Sequence, residues 1–359
     1  MLYLDWAAAA PPEPETLEKY AELLRDRFAN QESGHALGFA LRREIEKAAE
    51  SLSLTFWRRS GGRVVWGNSC TELFQLVAAS PLVAGRRVVS SRLEHPALDR
   101  ALRRKAGSMT FLRAAPTGKL VPEPAEGAAL VALHQVQSEL GVVQDLPALF
   151  SAFPGAVRFV DAAQGAGKLE FPNADVVAIS GAKLGVPGGG AALLLNPDWK
   201  DAGRFAEFSA QYRKEEHRIG RVHPALPPLL AFAARRRAAE LENARRRIGA
   251  LNSRLRSEVT GDAAFPTVAA SDASPYILHL STPKHQGAVL MRMLSEAGVA
   301  VSAGSACAAE SKDPSPALLA LGRTRREAYG GVRLSFGWDT PPEAADIFLT
   351  AWRTVLQNY

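Results

Sequence analysis

Val157-Arg158-Phe159-Val160-Asp161 and Val176-Val177-Ala178-Ile179-Ser180-Gly181-Ala182-Lys183 carry the reading that decides the fold. Each is a short apolar run that ends at a polar residue or turn. Neither alternates as a strand with one wet face would, so both suit a sheet covered on its two sides. Arg63-Trp66, Arg87-Ser90, Ala128-Leu133 and Ala191-Leu195 read the same way. Helical patterns such as Thr71-Ala79 and Ala97-Lys105 lie between them. The alternation predicts an α/β fold with a mainly parallel sheet.

Further along, helical patterning holds from about Pro224 to Val259. A smaller βα unit follows, with a strand over Tyr276-Leu280, a helix over Gln286-Ala297 and a strand over Val299-Ser302. Arg333-Phe336 reads as another strand, and Pro342-Gln357 as a closing helix. A chain of 359 residues exceeds the size at which one core stops growing. Two domains are expected, dividing near residue 240.

The composition narrows the class. Hydrophobic residues make up 47% and charged residues 22%, ordinary for a soluble enzyme. No apolar run approaches the roughly 18 residues of a membrane span. The start, MLYLDWAAAAPPEPE, lacks the basic opening of an export signal. With two cysteines, Cys70 and Cys307, no disulfide framework is expected, and a reducing cytoplasm is the expected setting. No Cys/His spacing suggests a metal site. The net charge of +6 owes much to Arg235-Arg236-Arg237 and Arg245-Arg246-Arg247. No aromatic residues interleave these arginines, so they read as a solvated helix face rather than a nucleic-acid site.

Chemistry gathers at the strand ends, where ligands bind in open α/β sheets. Asp161 is such an end; alone it could equally be a helix cap. Lys183 ends the next run. A lysine there can form a Schiff base with a carbonyl cofactor, and an acid can hold a pyridine nitrogen protonated, so the pair suggests pyridoxal phosphate. Trp66-Gly67-Asn68-Ser69-Cys70-Thr71 offers a strand, a small turn and a helix start. That is either a phosphate cradle or an ordinary N-cap on Ser69 or Thr71. His95 follows another strand and suits ring stacking and proton transfer. The remaining histidines, His134 and His279 among them, read as structural. Cys307 lies among small residues in Ala303-Gly304-Ser305-Ala306-Cys307, as an accessible nucleophile would.

In this order the motifs resemble the NifS/IscS-type cysteine desulfurases, within the class V aminotransferase family of fold-type I pyridoxal-phosphate enzymes. The resemblance runs from Tyr3-Leu4-Asp5 to Arg333-Leu334-Ser335-Phe336-Gly337. Its most specific stretches are Glu139-Leu140-Gly141-Val142-Val143-Gln144-Asp145, Asp161-Ala162-Ala163-Gln164 with Gly167-Lys168-Leu169, Ser180-Gly181-Ala182-Lys183, and Gly304-Ser305-Ala306-Cys307. It implies a large domain over residues 16–240 with a seven-stranded sheet, and a smaller α+β domain from 1–15 and 241–359. Lys183 would carry pyridoxal phosphate and move the α-proton. Asp161 would pair with the ring nitrogen, Gln164 would bond the phenolic oxygen, and His95 would stack on the ring. Thr71 and Ser180 would hold the phosphate, with Cys70 packed beside that turn. Arg333 would bind the carboxylate of L-cysteine, with Ser138 in the substrate site. Cys307 would take the sulfur as a persulfide and pass it to an acceptor protein for iron–sulfur cluster, thio-cofactor or tRNA biosynthesis. A homodimer is implied.

Three positions depart from the family pattern. Ala182 stands for a histidine, Gln137-Ser138 for Asn-Asn, and Arg221 for the threonine that a partner subunit lends to the phosphate. Arg221 is expected to replace the lost phosphate contacts, since a guanidinium binds phosphate well. Other fold-type I activities (selenocysteine lyase, β-lyase, aminotransferase) and a non-catalytic binding paralogue are the alternatives.

Overall fold

Successive residues of the inner strands point to opposite faces, and both faces are buried. Val89, Val131, Val160, Val177 and Leu194 enter the core on one side; Val88, Leu130, Phe159, Val176 and Leu193 enter the core on the other. All are at most 1% exposed. Burying each such side chain contributes roughly 1.5–3 kcal/mol, which explains why these runs tolerate no polar alternation.

The computed structural model describes residues 1–216, 221–261, 263–304 and 313–359. Its strands in chain order are β1 (Leu2–Tyr3), β2 (Arg63–Gly67), β3 (Arg87–Ser91), β4 (Ser108–Leu112), β5 (Leu130–His134), β6 (Val157–Asp161), β7 (Val176–Ser180), β8 (Ala191–Leu195), β9 (Phe265–Pro266), β10 (Ile277–Ser281), β11 (Val299–Ala300) and β12 (Gly331–Ser335). The helices are α1 (Pro14–Asp26), α2 (Ala36–Trp57), α3 (Cys70–Ala79), α4 (Pro96–Lys105), α5 (Leu146–Ser151), α6 (Ala202–Glu216), α7 (Leu226–Val259), α8 (Gly287–Glu296), α9 (Pro316–Ala320), α10 (Arg325–Tyr329) and α11 (Ala344–Asn358). Among the described residues, no helix is long and apolar enough to cross a membrane.

Seven strands form the main sheet in the order β2-β8-β7-β6-β5-β3-β4. The pairs from β7 through β4 are parallel. Strand β8 runs antiparallel to both its neighbours, because the tight Gly188-Gly189-Gly190 turn returns the chain beside β7. The mainly parallel sheet is therefore as expected, with one reversed strand that hydrophobicity alone does not reveal. Strand β4 is the one that the apolar runs did not mark. It is an edge strand, with Met109, Thr110 and Phe111 only half-buried; Arg92 and Arg103 cover the Phe111 ring at 4.7 and 4.4 Å.

Helix α7 is 34 residues long and serves two cores. Its first half places Leu229, Leu230 and Ala233 against the main sheet. Its second half places Ile248, Leu251 and Leu255 in a separate core with Leu278, Leu294, Leu334 and Phe348. Residue 240 lies inside this unbroken helix. Leu2 and Leu4 join the second core. The expected βα unit there is arranged differently. Strand β11 covers only Val299–Ala300 and pairs with the N-terminal β1, whereas β10 lies between β12 and β9, antiparallel to both. Val299 pairs with Leu2, so the partner of this strand comes from the far end of the sequence.

The N-terminal segment is pinned by aromatic packing. Trp6 meets Trp338 edge-on at 5.0 Å, and a Cβ on Gly337 would sit 1.9 Å from the Trp6 ring. Overpacking against a rigid ring is destabilising. Gly337→Ala is expected to lower the unfolding free energy by roughly 1–3 kcal/mol, read as a drop in the urea midpoint; an unchanged midpoint would contradict this packing.

Candidate active site

A cavity of about 460 Å³ opens at the carboxyl ends of β6 and β7, within the usual size of a small-molecule site. Asp161 ends β6, and Lys183 closes the 3-10 turn Gly181–Lys183 that follows β7. Both line the cavity with Thr71, Cys70, His95, Gln164, Ser180, Ser138 and Arg333. Of the predicted site residues within the described part of the chain, Arg221 alone does not line it. Arg221 is exposed, and its carbonyl accepts a 3.2 Å hydrogen bond from Asn68 at the rim. Cys307 lies outside the described residues.

The floor is acidic and buried. Asp161 is 8% exposed, and its Oδ1 accepts from the Ala163 N–H at 3.0 Å. Burial raises its carboxyl above the ordinary range; the Ala163 N–H and His95 oppose that rise. His95 caps α4, its Nδ1 accepting from the Ala97 N–H at 3.2 Å. Burial pushes His95 down, Asp161 pulls it back up, and the charges of Lys183 and Arg100 push it further down. A cationic ring nitrogen beside Asp161 would compensate the buried carboxylate.

The walls include a segment that the sequence did not mark. Lys183 Nζ donates to the Ala8 carbonyl, and Gln164 Nε2 donates to the Ala7 carbonyl at 2.9 Å. The run Trp6-Ala7-Ala8-Ala9-Ala10 thus closes one side of the site. Its only signal in the sequence is a row of small residues that lets backbone approach closely. Gln164 Oε1 is buried without a hydrogen-bond partner.

At the other end, Ser69 caps α3 by accepting from the Glu72 N–H at 3.2 Å. The backbone N–H groups of Cys70 and Thr71 begin the helix beside the Thr71 and Ser180 side chains, a set suited to an anion. Gly188, Gly189 and Gly190 complete this wall at φ of 74°, 85° and 77°, which L side chains rarely adopt. Burial raises the Cys70 thiol strongly, Asp161 adds to that, and its Sγ lies 3.4 Å from the Ile179 carbonyl.

Cations cluster at the remaining wall. Arg333 is 2% exposed, bonded to Asp5 at 2.6 Å and to the Ser138 carbonyl at 2.9 Å, with its Nε unpartnered. Lys168 is buried nearby; burial first, then the charges of Lys183 and Arg333, push it down to about 7. Gln137, one of the departures, caps its own turn, its Oε1 accepting from the Glu139 and Leu140 N–H groups at 2.7 and 2.6 Å.

The donor set fits pyridoxal phosphate. It offers a lysine amine, a buried carboxylate, an amide oxygen without a partner, a histidine over the floor and a helix start with two hydroxyls, all on one cavity. Among the described residues, no group of three or more His, Cys, Asp or Glu is placed to hold a metal ion.

A family profile described as Aminotransferase class-V matches residues 2–348. Cysteine desulfurase IscS of Pseudomonas entomophila (strain L48) is 30% identical to this chain, over 96% of it and 90% of that protein. The IscS of Azotobacter vinelandii is 29% identical over the same shares. Among solved structures, a NifS-like protein superposes with a TM-score of 0.83 at 20% identity, covering 100% of both chains. The apo cysteine desulfurase from Thermococcus onnurineus NA1 gives 0.82 at 20% identity, over 100% of this chain and 95% of that one. At these identities the structures speak to the fold.

His279 pairs with Arg333 across β10 and β12. Burial first, and then the Arg333 charge, push it down to about 3, against an ordinary 6.5. The unfolded chain therefore takes up this proton first as pH falls. The contribution of neutral His279 is complete above pH 6.5 and is lost toward pH 3, by about 1.4 kcal/mol for each pH unit. His279→Gln is expected to flatten the fall of the urea midpoint below pH 6.5; an equally steep fall would contradict a neutral His279.

Proposed function

The chain belongs to the class-V aminotransferase family, and on that premise we propose that it is a pyridoxal-phosphate-dependent cysteine desulfurase. Relatives bearing that name match over nearly its whole length. The observation that carries the reading is the convergence of Lys183, Asp161, Gln164, His95 and Arg333 on one cavity.

Pyridoxal phosphate, when bound, supplies an electron sink for the bonds at the α-carbon of an amino acid. The protein's residues do the rest. Lys183 tethers the cofactor and moves the α-proton. Asp161 holds the proton on the pyridine nitrogen, and its buried position keeps water from competing. Gln164 orients the ring through its phenolic oxygen, and His95 covers the ring face and shares in proton transfer. Thr71, Ser180 and the first N–H groups of α3 hold the phosphate. Arg333 takes the substrate carboxylate as a two-pronged donor, exchanging its present bonds to Asp5 and the Ser138 carbonyl for that anion.

The Cys307 thiolate attacks the substrate sulfur; the sulfur–carbon bond breaks, its electrons return to the carbon, and a proton completes L-alanine. The sulfur stays on Cys307 as a persulfide and passes to an acceptor protein, in iron–sulfur cluster, thio-cofactor or tRNA biosynthesis. We read the chain as two domains, 16–240 and 1–15 with 241–359, acting in the cytoplasm as a homodimer. Arg221 of the partner subunit then supplies the phosphate contact that Ala182 cannot.

Two outcomes test these assignments. Cys307→Ser is expected to abolish sulfur release from L-cysteine while leaving the cofactor bound; sulfide production at the unsubstituted rate would move the reaction to another member of the family's repertoire. Arg221→Ala is expected to weaken pyridoxal phosphate by about tenfold, the size of one charge-assisted hydrogen bond, measured by equilibrium dialysis. Undiminished retention would remove Arg221 from the site.

A further inference from the structure

Beneath the cavity runs a chain of buried polar side chains whose hydrogen-bond directions follow from one backbone group. The Leu120 N–H, which can only donate, reaches Gln144 Oε1 at 2.9 Å. That orients the amide, so Gln144 Nε2 is the donor. It reaches the Gly118 carbonyl at 3.0 Å and His134 Nε2 at 3.1 Å. A ring nitrogen that accepts carries no proton, so the proton of His134 sits on Nδ1. Nδ1 lies 2.8 Å from Glu94 Oε1. The Ser91 hydroxyl donates to the same oxygen at 2.6 Å, while its own oxygen accepts from the Leu93 N–H at 3.2 Å. Glu94 Oε1 thus accepts twice, as a carboxylate does, and Oε2 is buried with no partner.

This chain ends at the catalytic residues. Glu94 directly precedes His95, and His134 pairs with Asp161 across β5 and β6. His134, Gln144 and Glu94 are 3%, 6% and 6% exposed; His134 also lines the cavity. The charged groups that act on His95 are Asp161, Lys183, Arg100 and Glu94. The titratable groups that face Asp161 are His95, Glu94 and His134, the last a charge only when protonated.

We propose that His134 is a positioning residue: held by Gln144 as the neutral Nδ1–H tautomer, it locks the Glu94 carboxylate in place as the third member of the His95–Asp161 charge system. Glu94 then favours the proton on His95, and its rigid anchoring makes that bias permanent. The consequence for turnover rests on the desulfurase reading above. The tautomer and the charge effect do not, because both exist without cofactor or substrate.

Nitrogen-15 spectra of the full chain labelled at histidine, free of pyridoxal phosphate, test the proposal. The His134 ring, assigned by through-bond correlation, is expected to show a protonated Nδ1 and a bare Nε2. A protonated Nε2 would overturn it. In the same spectra, Glu94→Gln keeps an acceptor oxygen for Ser91 and His134 but removes the charge. The His95 midpoint is expected to fall, since the Glu94 charge holds it up; an unmoved midpoint would overturn the charge role. The unsubstituted chain decides the tautomer even if that variant does not fold. A failed desulfurase assay would leave both spectra as they are.

Discussion

The Asp161 carboxylate ends a strand that has no wet face, and holding it there constrains everything around it. Moving an unpaired charge out of water costs several kcal/mol even after relaxation. Here one backbone N–H, from Ala163, repays only part. The remainder must come from positive charge in the cavity. His95 acts on Asp161 from that side, and Lys183 and Arg333 line the rest of the cavity. An acid on the floor and cations on the walls describe the ligand in outline: a cationic ring nitrogen at one end, anionic groups at the others.

That arrangement depends on two long-range pieces of the fold. The sheet brings Asp161 and the Lys183 turn to one edge because β6 and β7 are parallel neighbours. The N-terminal segment then closes the site with the carbonyls of Ala7 and Ala8. It is held by Trp6 against Trp338, and by the bond from the Ala10 N–H to the Ala182 carbonyl at 2.8 Å. Arg333 shows the same logic, since it meets Asp5 from the opposite end of the sequence. Stability of the second core and geometry of the site are therefore coupled through the first ten residues.

Much of this was legible in the residues. The apolar runs gave six of the seven sheet strands, because both faces are buried and the hydrophobic signal is continuous. The edge strand β4 escaped because half of its surface is wet and two arginines cover Phe111. The reversal of β8 escaped because direction leaves no mark on composition. Asp161 and Lys183 were visible at strand ends, where chemistry and fold point the same way. His134 was read as structural, since a lone histidine in a buried strand carries no sign of its neighbours; only the pairing of β5 with β6 sets it beside Asp161. The Ala7–Ala8 wall was hidden for the same reason.

The central claim is a lysine-tethered pyridoxal phosphate poised for L-cysteine, and visible absorbance tests it most directly. The purified protein supplied with pyridoxal phosphate should show a yellow band that shifts when L-cysteine is added and is absent in Lys183→Ala. A protein that stays colourless with added cofactor would contradict the account at its centre. A band that ignores L-cysteine would keep the cofactor and reject the substrate.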